Sequence, residues 1–119
     1  MKIYHVTGYA HATVVAKTNR VQPRTLYDRH RRKEIGLLRM DGFKFFNDGT
    51  PVERNLPEEL KGKPLEWVGR SARRNKIAPV RIYEQIILGN IPGVTLGGRV
   101  FVIPSDPDTV AFLKTAKIR

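Results

Sequence analysis

The chain has 119 residues, 40% of them hydrophobic, and its 22 Lys and Arg against 11 Asp and Glu give a formal net charge of +11. That hydrophobic content excludes a fully disordered chain, and the length suits one domain or two very small ones. The absence of cysteine excludes disulfides, cysteine zinc sites and thiol catalysis together, and the excess of positive charge points to polyanions.

The opening MKIYHVTGYAHATVV holds no continuous apolar run, and no stretch nears the roughly 18 apolar residues that span a membrane. An intracellular, cytoplasmic protein with no membrane partner is the expectation. Thr7 is placed to cap a helix running to about Asn19, because Tyr9, Ala12, Val15 and Ala16 recur at helical spacing. Asn19 and Arg20 then make a short turn. Pro23 opens a second helix to about Lys33, at a position that does not need its missing N–H. Leu26 and His30, four apart, face inward with Tyr27. Two short strands follow, Leu37–Met40 and Phe43–Phe46, joined at Asp41-Gly42, a strong hairpin signal. Residues 48–64, with three prolines, two glycines and mixed charge, read as a linker.

Beyond the linker the same grammar returns. A helix over about Leu65–Asn75 precedes one from Pro79 to Leu88, and Gly89 suits a left-handed exit. Gly97-Gly98 turns a hairpin between Val94–Leu96 and Arg99–Ile103. Ser105-Asp106-Pro107 starts a short terminal helix. Ala16–Asn47 in fact falls on Ala72–Ile103 at a constant offset of 56 residues with no gap. Seven pairs are identical: Ala16/Ala72, Asn19/Asn75, Pro23/Pro79, Tyr27/Tyr83, Ile35/Ile91, Gly42/Gly98 and Phe45/Phe101. Such recurrence of proline, glycine and aromatic positions marks an internal repeat. The charge divides evenly, net +6 over residues 1–55 and +5 over 56–119.

The expected fold class is therefore α+β, mainly α. It consists of two tandem winged helix-turn-helix units, each two helices plus a two-stranded wing, with a short C-terminal helix. The first unit spans 1–47, the linker 48–64 and the second unit 65–119.

The stretch from Ala16-Lys17-Thr18-Asn19 through Val21-Gln22-Pro23-Arg24-Thr25-Leu26-Tyr27 resembles the helix-turn-helix of the MerR family and the excisionase-like winged helices of phages and mobile elements. The second copy is similar to the excisionase pattern through Ile82-Tyr83, Gly89, Ile91-Pro92-Gly93-Val94 and Gly97-Gly98-Arg99-Val100-Phe101. Two departures stand out: Asn19-Arg20 replaces the family's glycine before the valine, and no long coiled-coil helix follows either unit. Phage small terminase subunits share the small fold. The resemblance implies a double-stranded DNA partner, with the chain a transcription regulator or an excisionase-like architectural factor.

In that reading Gln22, Arg24, Thr25 and Arg29 meet base edges from the start of the second helix. Arg31, Arg32 and Lys33 meet phosphates, and Arg39 and Lys44 grip from the wing. In the second copy Arg81 and Gln85 occupy the places of Thr25 and Arg29, Arg99 lies on the wing, and Arg70, Arg73 and Arg74 hold phosphates. Val80, Ile87 and Leu88 replace Arg24, Arg31 and Arg32, which means either a better-filled core or a contact with another protein or a second copy. His5, His11 and His30 lack metal-ligand spacing, so no metal, cofactor or enzymatic activity is expected. The alternative function is a small protein-interaction module acting on a polymerase or recombinase, or a small-terminase-like DNA-recognition subunit. An RNA-binding role lacks the usual aromatic platform.

Overall fold

A computed structural model describes residues 2–117. The first strand, β1 (Ile3–His11), runs directly into α1 (Ala12–Thr18), where the His11 ring Nδ1 accepts the Thr13 N–H at 3.3 Å. Then come α2 (Pro23–Arg31) and the hairpin β2 (Leu37–Met40) and β3 (Phe43–Asn47). The short β4 (Glu53–Arg54) and one 3-10 turn (Glu58–Leu60) lead to β5 (Glu66–Trp67). Next are α3 (Val68–Asn75), α4 (Pro79–Ile87), β6 (Gly93–Gly97) and β7 (Arg99–Val102). The last helix is α5 (Pro107–Lys117), capped by the Asp106 carboxylate, which accepts the Thr109 N–H at 3.0 Å. The order strand, helix, helix, strand, strand thus occurs twice.

All the strands belong to one sheet, ordered β2-β3-β1-β6-β7-β5, with β4 also alongside β1. The first strand is its seam, antiparallel to β3 (Ala10 opposite Phe46) and parallel to β6 (Tyr4 opposite Val94). The sheet curls until its ends meet. Asp41, in the β2–β3 turn, accepts the Trp67 backbone N–H at 2.8 Å and lies 3.1 Å from the Arg70 guanidinium. Phe43 packs edge-on against Trp67, ring centroids 5.2 Å apart. The inside of this nearly closed barrel is filled by Val6, Phe45, Val94, Leu96, Phe101 and Ile103. Outside it, α1 and α2 bury Val15, Ala16 and Leu26 against Phe46. On another part of the outer surface α3, α4 and α5 bury Val68, Ile82, Ile86 and Leu113 against Val102.

The expected mainly helical pair of winged helix-turn-helix units is overturned by this arrangement. A single mixed α/β sheet dominates, and the two hairpins are joined through β1 and β6 instead of standing apart as wings. Two expected helical stretches change accordingly. Residues 7–11, read as the start of a helix, are strand, and so are Glu66 and Trp67. In the first copy the cause lies in a break within β1. Its register on β6 shifts between Val6 and Ala10, and Gly8 sits at φ +93°. Val6 and Tyr9 therefore both face the inner core although they are three residues apart, a spacing that imitates a helix in sequence. The alternation of period two that marks a strand is lost at the bulge.

The offset of 56 persists in the backbone. Left-handed residues at Arg20, Lys33, Asp41 and Gly42 recur at Lys76, Gly89, Gly97 and Gly98. Both hairpin turns carry positive φ at both central residues, the form whose twist matches the strands. Asn19 and Asn75 each donate a side-chain N–H to the carbonyl four residues back, at 2.8 Å in both copies. Within residues 48–64, Glu53 and Arg54 pair with Thr7 and Val6 of β1 and Leu60 is buried in the inner cluster.

Candidate nucleic-acid interface

The amphipathic second helix presents Leu26, fully buried, to the barrel and leaves Arg24, Arg31 and Arg32 exposed. Gln22 is exposed at its N-cap, while Thr25 and Arg29 are half-buried along one flank. Two of these cations have acidic neighbours. Arg31 pairs with Asp28, and Arg32 lies 3.6 Å from Glu34. All four side chains are at least 45% exposed, so each pair contributes little and exchanges readily for another anion. Among the described residues Arg24 and Arg29 form no ion pair.

The β2–β3 hairpin extends this surface. Leu38, Met40, Phe43 and Phe45 point into the barrel, so the strand alternation turns Leu37, Arg39, Lys44 and Phe46 outward. Phe46 is the floor on which α2 packs, through the Tyr27 ring at 5.2 Å. The Lys44 ammonium stands over the same Tyr27 ring, 5.2 Å from its centroid. Arg39 and Lys44 are direct cross-strand partners. Like charges opposed in this way weaken a sheet, and both are exposed beside the arginine-rich helix. Lys44 thus joins the outer side of the hairpin to α2 through Tyr27, and Arg20, Arg24, Arg31, Arg32, Arg39 and Lys44 are exposed basic residues of the first copy.

The second copy differs. Arg39 and Lys44 correspond to Thr95 and Val100. Val80 and Ile87 on α4 and Leu88 at its C-cap are 57%, 61% and 68% exposed, so they fill no core. Arg81 is half-buried, and Gln85 accepts a hydrogen bond from Asn90 at 2.8 Å. Arg73 is exposed on α3, whereas Arg74 is held by Glu66 at 2.8 Å. That hydrogen bond raises the Arg74 pKa further above its already high ordinary value. Arg99 lies over the rings of Phe43, at 4.4 Å, and Trp67, at 5.4 Å, where the sheet closes on itself. Of the thirteen residues expected to bind, Gln22, Arg24, Thr25, Arg29, Arg31, Arg32, Arg39 and Lys44 lie on α2, its ends and the β2–β3 hairpin of the first copy, while Arg73, Arg74, Arg81, Gln85 and Arg99 lie on α3, α4 and β7 of the second, with Arg74 held by Glu66 and Arg99 over Phe43 and Trp67.

Arg20, absent from the set read from the helix alone, is exposed at φ +56° in the turn before α2. Its position four residues before Arg24 was the available signal. The histidines take local roles: His5 meets the Thr95 hydroxyl at 2.6 Å, His11 caps α1 and His30 reaches the Ile35 carbonyl at 3.0 Å. Among the described residues no helix is long and apolar enough to cross a membrane. Comparison of the chain with protein-family models, curated proteins and solved structures yields no match.

Proposed function

We propose that the protein binds double-stranded DNA through the basic face of its first copy. The observation that carries this reading is the cross-strand pairing of Arg39 with Lys44 beside α2. Two opposed cations cost the hairpin stability, and a polyanion laid across them removes that cost. An α-helix with its side chains is about 10–12 Å across, which fits a major groove about 12 Å wide. Its exposed Arg24 and flanking Arg29 reach base edges, while Arg20, Arg31, Arg32, Arg39 and Lys44 meet phosphates. The resemblance of residues 16–27 to MerR-type and excisionase-like DNA-reading helices adds to this reading, with a role in transcription regulation or DNA architecture.

The test is a double substitution, Arg39→Gln with Lys44→Gln. It is expected to weaken binding to every duplex and to lower the slope of log affinity against log salt by about 2. Relief of the repulsion leaves thermal stability unchanged or raised. Lost stability together with unaltered DNA affinity would overturn the proposal.

A second reading, a protein contact made by α4, is favoured by the exposure of Val80, Ile87 and Leu88. Replacing Ile87 and Leu88 by Asp would then abolish association with the partner, or with a second copy, while DNA affinity is retained. Loss of DNA affinity in that variant would instead assign α4 to the duplex.

A further inference from the structure

The open end of the barrel holds a cavity of about 280 Å³. Val6, Leu38, Met40 and Leu96 form its sheet side. Its cover is the segment between β4 and β5, which seats Leu56, Leu60 and Leu65 over the strands. Leu60 enters the inner core and is 8% exposed, but the cover leaves the rest of the volume open. An apolar void of this size forfeits the dispersion contacts that a filled core would make.

The cover is fastened only at its ends. Before it, β4 pairs with β1 and the Asn55 N–H donates to the His5 carbonyl at 3.0 Å. After it, β5 pairs with β7. Between them, each backbone hydrogen bond among the described residues stays inside the segment, as in Leu60 to Pro57 at 2.9 Å and Lys63 to Leu60 at 3.4 Å. Leucine side chains thus hold its middle to the barrel, an attachment that yields to an apolar guest without breaking a backbone bond to the sheet.

The charged residues at the cavity are Arg54 and Lys63. Both are exposed, and among the described residues neither is in an ion pair. No carboxylate lines the site among those residues. An aliphatic chamber with two free cations at its rim is complementary to one chemistry, a hydrocarbon tail with an anionic head. The volume holds about ten methylene-sized groups at interior packing density.

We propose that this cavity binds a medium-chain aliphatic carboxylate, its tail among Leu38, Met40, Leu60 and Leu96 and its head between Arg54 and Lys63. This site is independent of the basic face on α2. The probe is decanoate, titrated below its micelle concentration into the full chain and followed by calorimetry and by the methyl NMR signals. Saturable one-to-one binding is expected, with shifts at Leu38, Met40, Leu56 and Leu60. The exposed pair Arg54→Gln and Lys63→Gln retains the fold, weakens decanoate about tenfold and leaves decan-1-ol unaffected. Met40→Trp fills the chamber and reduces binding of both. Three results would each overturn the site: no saturable binding, equal binding of decyltrimethylammonium, or shifts at Val80, Ile87 and Leu88 instead of the cavity leucines.

Discussion

Ser71 shows how single positions carry the history of the repeat. It is fully buried in α3, and its hydroxyl oxygen has no partner among the described residues. The equivalent residue of the first copy is Val15, 3% exposed in its own cluster. A buried hydroxyl that forms no hydrogen bond retains its desolvation cost. Ser71→Ala is therefore expected to raise stability by about 1 kcal/mol, read as a higher urea midpoint at unchanged slope. A loss of stability would mean that the hydroxyl has a partner, such as the carbonyl of the preceding turn. Exposure decides the meaning of its neighbours in the same way. Ile86 is 2% exposed and belongs to the core, while adjacent Ile87 is 61% exposed and does not.

At the scale of elements, the closure of the sheet depends on the β2–β3 turn. Asp41 adopts φ +50°, which its short side chain tolerates, and the same carboxylate accepts the Trp67 N–H. It is 14% exposed, whereas Arg70 is 57% exposed, so the hydrogen bond to the backbone outweighs the ion pair. Asp41→Ala is expected to cost about 2–3 kcal/mol in thermal or urea unfolding, and Asp41→Asn, which keeps an acceptor, clearly less. Equal losses would assign the effect to the charge pair with Arg70. The same element closes over Phe43, whose ring is also met by Arg99, so the Asp41→Ala variant should expose Trp67 to quenching by iodide.

The whole molecule is tied through the parallel contact of β1 with β6. Residues 1–55 and 56–119 carry nearly equal charge, but each half supplies strands that the other pairs. Expressed alone, residues 1–55 are expected to remain largely unfolded, because β1 loses its partner on one side and the inner core loses Val94, Leu96 and Phe101. Mixed with residues 56–119, they should recover the amide spectrum of the intact chain. A fold of residues 1–55 stable by themselves would make the seam dispensable. Binding belongs to this scale as well. With five phosphates met by Arg20, Arg31, Arg32, Arg39 and Lys44, log affinity for duplex DNA should fall against log salt with a slope of about −4 to −5. A flat response would remove the basic face as the driving force and favour the protein contact at α4.

Local signals in the sequence were enough to determine the second helix of each copy, the two hairpins and the offset between copies. Pro23 and Pro79 occupy the first helical turn, and Asp41-Gly42 and Gly97-Gly98 adopt the positive φ that their turns require. The basic residues of α2 and its hairpin were legible for the same reason, since helical and strand periodicity alone group them. Tertiary structure decided the rest. Strand β1 has its partner about 90 residues away, as the bond between His5 and Thr95 illustrates, and nothing in residues 3–11 specifies that pairing. Its bulge at Gly8 erased the alternation that would have announced a strand. Exposure of Val80, Ile87 and Leu88, the stacking of Arg99 on Phe43 and Trp67, and the cavity under Leu60 likewise follow only from how the sheet curls. Periodicity records which side of an element is apolar; what that side meets is set by contacts between residues far apart in the chain.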